Sequence, residues 1–199
     1  MTKSYNLECS PESREMRRIA TITFSKLVDN LQQHYGAPVL PPSTEPLELI
    51  SWENIAYLAS DNRRAEAFAT LKRSIGTRAE QILAARHSAS AAIGKAGILP
   101  DVSAEKLLTI ARIAHEEFQS APGSVLRKPL PQAKKALKRF PGIGDPGAGK
   151  ILLFTRSYPV LVLASNGLRV LCRVGFAEEQ KNYSAAYRLV EDAIESYRR

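Results

Sequence analysis

The chain has 199 residues, 44% of them hydrophobic, and its 28 Lys and Arg against 20 Asp and Glu leave a formal net charge of +8. That is enough for one globular unit or two small lobes sharing a core, and a pI near 9.6 favours a polyanionic partner, with membrane lipid and simple solubility left open. Two cysteines, Cys9 and Cys172, exclude a disulfide framework or a thiolate cluster, and the absence of an apolar h-region or a bilayer-length apolar run points to a soluble protein of a reducing cytoplasm.

Nearly every periodic segment has helical spacing. From Pro11 to Tyr35 the stripe Ala20, Phe24, Leu27 and Leu31 predicts one long helix that Gly36 ends. The next stretch, APVLPPSTEP, holds four prolines and reads as a connector between lobes. A second helix is expected over Leu47–Leu58 and a third over Asn62–Ile75, with Phe68, Leu71 and Ile75 inward. Thr77 to Asp101 reads as short helical pieces ending in the loop GKAGILPD, after which Ser103 is placed to cap a helix with the stripe Leu107, Ile110, Ala111, Ala114 and Phe118. Near the end, VLVLAS reads as an extended buried crossing. The next helix gathers Leu168, Leu171 and Cys172, and the last turns Ala186, Tyr187, Val190, Ile194 and Tyr197 inward. His34, His87 and His115 lie on different elements, so no zinc site is expected.

The segment with most chemical content is LKRFPGIGDPGAGKILLF, Leu137 to Phe154. Its Pro-Gly-Ile-Gly core must join two helices tightly. Gly142 and Gly144 are read as positions where a side chain would be forbidden, leaving main-chain N–H groups uncovered at the start of the next helix, where a phosphate fits. Asp145 is placed as N-cap and Pro146 in the first turn. With Lys134, Lys135, Lys138 and Arg139 in front, the segment reads as a helix-hairpin-helix that grips nucleic-acid backbone through Gly142, Ile143, Gly144, Gly147, Lys150, Lys138 and Arg139. A plain helix–loop–helix is the competing reading.

FPGIGDPGAGKILLF, followed at similar separation by VLVLASNGLRVLCRVGF, resembles the endonuclease III branch of the helix-hairpin-helix DNA glycosylases. The resemblance covers roughly Phe24 to Phe176. It implies an all-α, two-lobed fold: a six-helix barrel lobe over residues 45–158, with the hairpin at about 130–156, and a second lobe from 1–44 and 159–199. It implies duplex DNA with a damaged, mismatched or abasic site as partner, a nucleotide flipped into a pocket, and cleavage of the N-glycosidic bond. A monomer without membrane contact is expected.

At two positions the chain departs from the family pattern. Pro146 stands where bifunctional members carry a lysine that forms a Schiff base, and Lys150, one turn further, is about 6 Å away along a helix. Its plainer reading is a phosphate-binding lysine. Ala164 stands where the family has its catalytic aspartate, leaving Ser165 and Asn166 with dipoles but no full charge. A monofunctional glycosylase or a disabled DNA-binding module is therefore expected. In LELISWENIAYL, Glu53 resembles the catalytic glutamate of adenine-specific mismatch glycosylases, to be activated by burial near Trp52 and Tyr57, or else is a helix-surface residue. Trp52, Asn54 and Tyr57 are candidate base-pocket residues with Ser165 and Asn166, and Ile98 and Leu99 resemble the family's wedge loop. The resemblance further implies a monovalent cation, Na+ or K+, on the main-chain carbonyls of Lys138, Phe140 and Ile143. No iron–sulfur cluster is expected, because its four cysteines are missing.

Overall fold

The computed structural model describes residues 22–56, 59–85, 100–178 and 180–196, and among these every regular element is helical. Helices α1 (Phe24–Tyr35), α8 (Ser165–Arg173) and α9 (Tyr183–Ser196) fall in a compact unit of residues 1–38 and 163–199. The second unit, residues 39–162, holds α2 (Pro46–Asn54), α3 (Asp61–Ser74), α4 (Ala79–Ala84), α5 (Pro100–Phe118), a 3-10 helix (Pro122–Arg127), α6 (Leu130–Leu137) and α7 (Asp145–Phe154).

The second unit is built on α5, whose Leu107, Ile110, Ala111 and Ala114 are fully buried at the predicted helical spacing. Helices α2 and α4 and the 3-10 helix pack on it, while α2 also packs on α7, and α6 on α7. Because α2 has neighbours on several sides, it buries Leu47, Leu49, Ile50, Ser51 and Asn54 with almost no polar face. Fully buried Leu71 of α3, Ile82 of α4, Val125, Leu137 and Leu152 complete the core.

One acid is built into that core. The Glu48 side chain accepts hydrogen bonds from Thr77 Oγ1 at 2.6 Å and Lys72 Nζ at 3.1 Å, so it ties the start of α2 to the end of α3 and the turn after it. Burial raises its pKa, but the hydrogen bonds from Thr77, Ser43 and Lys72 lower it more, and the carboxyl titrates below its usual range. A depressed folded-state pKa gives stability that is full above the unfolded value near 4.5 and is lost as pH falls through the folded one. Acid denaturation of Glu48→Gln should therefore show a shallower loss of stability below about pH 5 than the unsubstituted chain. Parallel acid profiles would show that Glu48 does not carry this linkage.

In the first unit Leu27, Leu168, Leu171, Phe176, Ala186, Val190 and Ile194 are buried. Phe24 meets Phe176 edge to face at 5.9 Å, and the Tyr183 hydroxyl donates to the Leu163 carbonyl. Burial, with Glu191 and Tyr183 nearby, pushes the Tyr187 phenol up to about 12.

Several boundaries differ from those read in the sequence. Helix α1 cannot run unbroken from Pro11, because Thr23 is extended and its hydroxyl accepts the Lys26 N–H as an N-cap. Of its expected stripe Leu27 is buried, whereas Leu31 is exposed. Helix α2 stops at Asn54 instead of reaching Leu58, its last turn closed by the Ile55 N–H on the Ser51 carbonyl. Ser103 caps nothing: α5 begins at Pro100, a residue suited to the first helical turn, and Ser103 lies inside the helix and buried. Ala20, Tyr57, Ile98, Leu99 and Tyr197 lie outside the described residues.

Candidate nucleic-acid interface

Helix α6 ends at Leu137, and the chain turns through Lys138 to Gly144 before α7 begins. Two apolar anchors hold this turn. Phe140 is 1% exposed and stacks on Phe118 of α5 at 5.4 Å, and Ile143 is 5% exposed. The Ile143 N–H donates to the Phe140 carbonyl at 3.2 Å, closing the turn between them. Ile143 therefore contributes only its main chain to any ligand, since its side chain belongs to the core.

The two glycines of the turn are there for different reasons. Gly142 has φ +73°, and a Cβ there would lie 2.3 Å from Asn54 Oδ1, so both conformation and space demand glycine. Gly144 corrects the expectation: its φ of −90° is open to any residue, and a Cβ would sit at an ordinary 3.8 Å from Pro146 Cδ. The N-cap is also displaced by one residue. Gly144 occupies it, and Asp145 is the first helical residue, its carboxylate drawn to Lys138 Nζ at 2.9 Å instead of back to the helix N–H groups. With no side-chain cap on α7, the first-turn N–H groups of Asp145 and Gly147 face outward by helix geometry, while Pro146 has none to offer.

Three cations border the turn, and each meets a carboxylate. Lys138 pairs with Asp145, Arg139 with Glu117 at 2.8 Å, and Lys150 with Glu53, whose oxygens lie 3.0 and 3.2 Å from Nζ. The last pair joins α2 to α7 across 97 positions and brings together two residues that the sequence marks separately. Neither helix carries a local signal for it. Glu53 thus faces an ammonium group, and of the two aromatic residues expected beside it Tyr57 lies outside the described residues. The Trp52 ring meets Phe68 edge to face at 5.6 Å, with the Arg64 guanidinium 5.7 Å from its centroid. Asn54 is buried, its Nδ2 donating to the Ile50 carbonyl at 3.0 Å, and its Oδ1 lies against Gly142.

In the first unit Ala164 is the extended, exposed N-cap of α8, with no side-chain cap, and Ser165 and Asn166 open the helix beside it. A methyl group leaves the first-turn N–H groups of α8 without a side-chain acceptor. Aspartate is among the best N-caps and also suits the positive end of the helix dipole. Ala164→Asp should therefore stabilise the protein by about 1 kcal/mol in urea unfolding, and unchanged or lower stability would show that the carboxylate does not cap α8.

No family model matches the chain. No curated protein matches it either. Among solved structures, a trapped endonuclease III–DNA covalent intermediate, described as an estranged-adenine complex, superposes with a TM-score of 0.66 over 85% of this chain and 78% of that one, at 13% identity. The fold is that of endonuclease III. The hairpin, with its buried Phe140 and Ile143, is therefore part of an endonuclease III-like all-helical fold. Among the described residues no cluster of His, Cys, Asp or Glu could hold a metal ion, and no helix is long and apolar enough to cross a membrane.

Proposed function

We propose that this protein binds duplex DNA through the Lys138–Lys150 hairpin and acts in base excision, on a damaged or mismatched base that it flips from the helix. The carrying observation is the hairpin itself: a buried Phe140 and Ile143 beneath a turn whose uncapped helix start is flanked by Lys138, Arg139 and Lys150. Main-chain N–H groups and lysines at such a turn hold phosphate and fix register without reading sequence. The likeness to a DNA-bound endonuclease III supports the same reading. The proposal includes a monovalent cation, Na+ or K+, on the main-chain carbonyls of Lys138, Phe140 and Ile143, of which that of Phe140 also accepts the Ile143 N–H.

Strand cleavage is not part of the proposal, because Pro146 has no amine. If the base is hydrolysed, the departing base needs a proton, and Glu53 is the candidate acid. A second reading has its own support. The exposed methyl of Ala164 and the pairing of Glu53 with Lys150 fit a module that holds abasic or distorted DNA without removing a base.

The test is a panel of labelled duplexes carrying uracil, oxidised, alkylated or mismatched bases, incubated with the protein and with Ala164→Asp, with base release assayed before and after alkali. Release by the protein as it stands establishes a glycosylase. Release by Ala164→Asp alone, or by neither with tight binding of abasic duplex, establishes the module, and no salt-sensitive binding at all ends the DNA reading.

A further inference from the structure

The three ion pairs around the hairpin are not equivalent. Lys138–Asp145 and Arg139–Glu117 join well-exposed side chains, and pairs of that kind exchange readily with water and contribute little. Lys150 and Glu53 are 35% and 21% exposed, and both carboxylate oxygens are within reach of Nζ. Glu53 sits on α2 and is delivered there by the core, since Ile50 and Asn54 on either side of it are buried. Next to it, Asn54 props Gly142. Adjacent residues of one helix thus set the turn and occupy the lysine that follows it.

We propose that Glu53 is an internal competitor of nucleic-acid phosphate for Lys150, which pairs with the carboxylate in the free protein and exchanges it for a phosphate on binding. The proposal rests on the DNA reading above. A carboxylate and a phosphate present the same kind of anionic oxygen to an ammonium group, so the exchange conserves the charge-assisted hydrogen bonds. The cost is a carboxylate left without its counter-ion beside the DNA backbone. Lys150 therefore contributes less to affinity than a free lysine would. It engages only where the main-chain donors of the turn already hold the backbone in register.

The experiment measures binding of a short duplex carrying a tetrahydrofuran abasic analogue across a range of salt concentrations. It compares the unsubstituted chain, Glu53→Gln, Lys150→Gln and the double variant, with circular dichroism and thermal melts confirming that each is folded. Glu53→Gln should bind about three- to fivefold more tightly at low salt. Its dependence of log affinity on log salt should steepen by up to about 0.9, because in the unsubstituted chain the carboxylate that Lys150 leaves takes up a cation and offsets the one released from its phosphate. In the Lys150→Gln background the same substitution should leave the slope unchanged, because no cation is released. An unchanged or shallower slope for Glu53→Gln, or equal steepening in both backgrounds, overturns the proposal while leaving DNA binding intact. If the unsubstituted chain shows no salt-dependent binding, the DNA reading fails and takes the proposal with it.

Discussion

Gly142→Ala should destabilise the protein by about 2–4 kcal/mol and weaken duplex binding at least tenfold, whereas Gly144→Ala should change either quantity little. Two costs meet at Gly142. A side chain at φ +73° is strained by itself, and its Cβ would overlap Asn54 Oδ1 at 2.3 Å. Relief requires Asn54 to move, and Asn54 is buried with its Nδ2 on the Ile50 carbonyl. Moving it breaks a buried hydrogen bond, worth about 1–3 kcal/mol when a partner is left unsatisfied. If the turn moves instead, the N–H groups ahead of α7 lose their direction, and binding falls. The double variant Gly142→Ala with Asn54→Ala separates the terms, since the overlap vanishes and only the backbone strain remains. Urea unfolding of the four proteins provides the cycle. Equal stabilities for Gly142→Ala and Gly144→Ala would show that the turn does not need its left-handed residue.

The contrast between these glycines marks how far the sequence could be read. Pro-Gly-Ile-Gly between two apolar helices is a local signal, and it located the turn correctly. Which glycine carries the positive φ is not local, because it depends on Asn54 arriving from α2. The cap was misplaced for a similar reason. Aspartate is favoured both at the N-cap and in the first turn, and Lys138, on the other arm of the hairpin, draws Asp145 into the second role. Stripes on α3 and α5 were legible because their period is fixed by the helix itself: Phe68 and Leu71, then Leu107, Ile110, Ala111 and Ala114, are all buried. Helix α2 was harder, since a helix buried on several sides has little periodicity to show. Its buried acid, Glu48 inside LELIS, went unread in the sequence. The partners of that acid, Thr77 and Lys72, lie 29 and 24 positions away, and no spacing rule reaches that far. The same holds for Glu53 and Lys150, each singled out for chemistry and neither predicted to meet the other.

Phe140→Ala should cost about 3–5 kcal/mol and lower the melting temperature by roughly 10 °C or more, the largest stability loss expected of any single hairpin residue. Phe140 is the floor of the turn: it is 1% exposed, it stacks on Phe118 with planes 24° apart, and its backbone N–H and carbonyl join the Leu137 and Ile143 ends of the loop. Truncation leaves a ring-sized cavity between α5 and the hairpin, where the surrounding helices can collapse only partly. Phe140→Leu keeps most of the volume but loses the ring stacking, worth about 0.5–1.5 kcal/mol, and should fall between. The functional consequence differs from that of Gly142. At a temperature where Phe140→Leu remains folded, the turn keeps its conformation, so the salt slope of DNA binding should match that of the unsubstituted chain even though stability has dropped. A changed slope in Phe140→Leu would mean that packing beneath the turn, and not only its backbone geometry, sets the number of phosphates the hairpin holds.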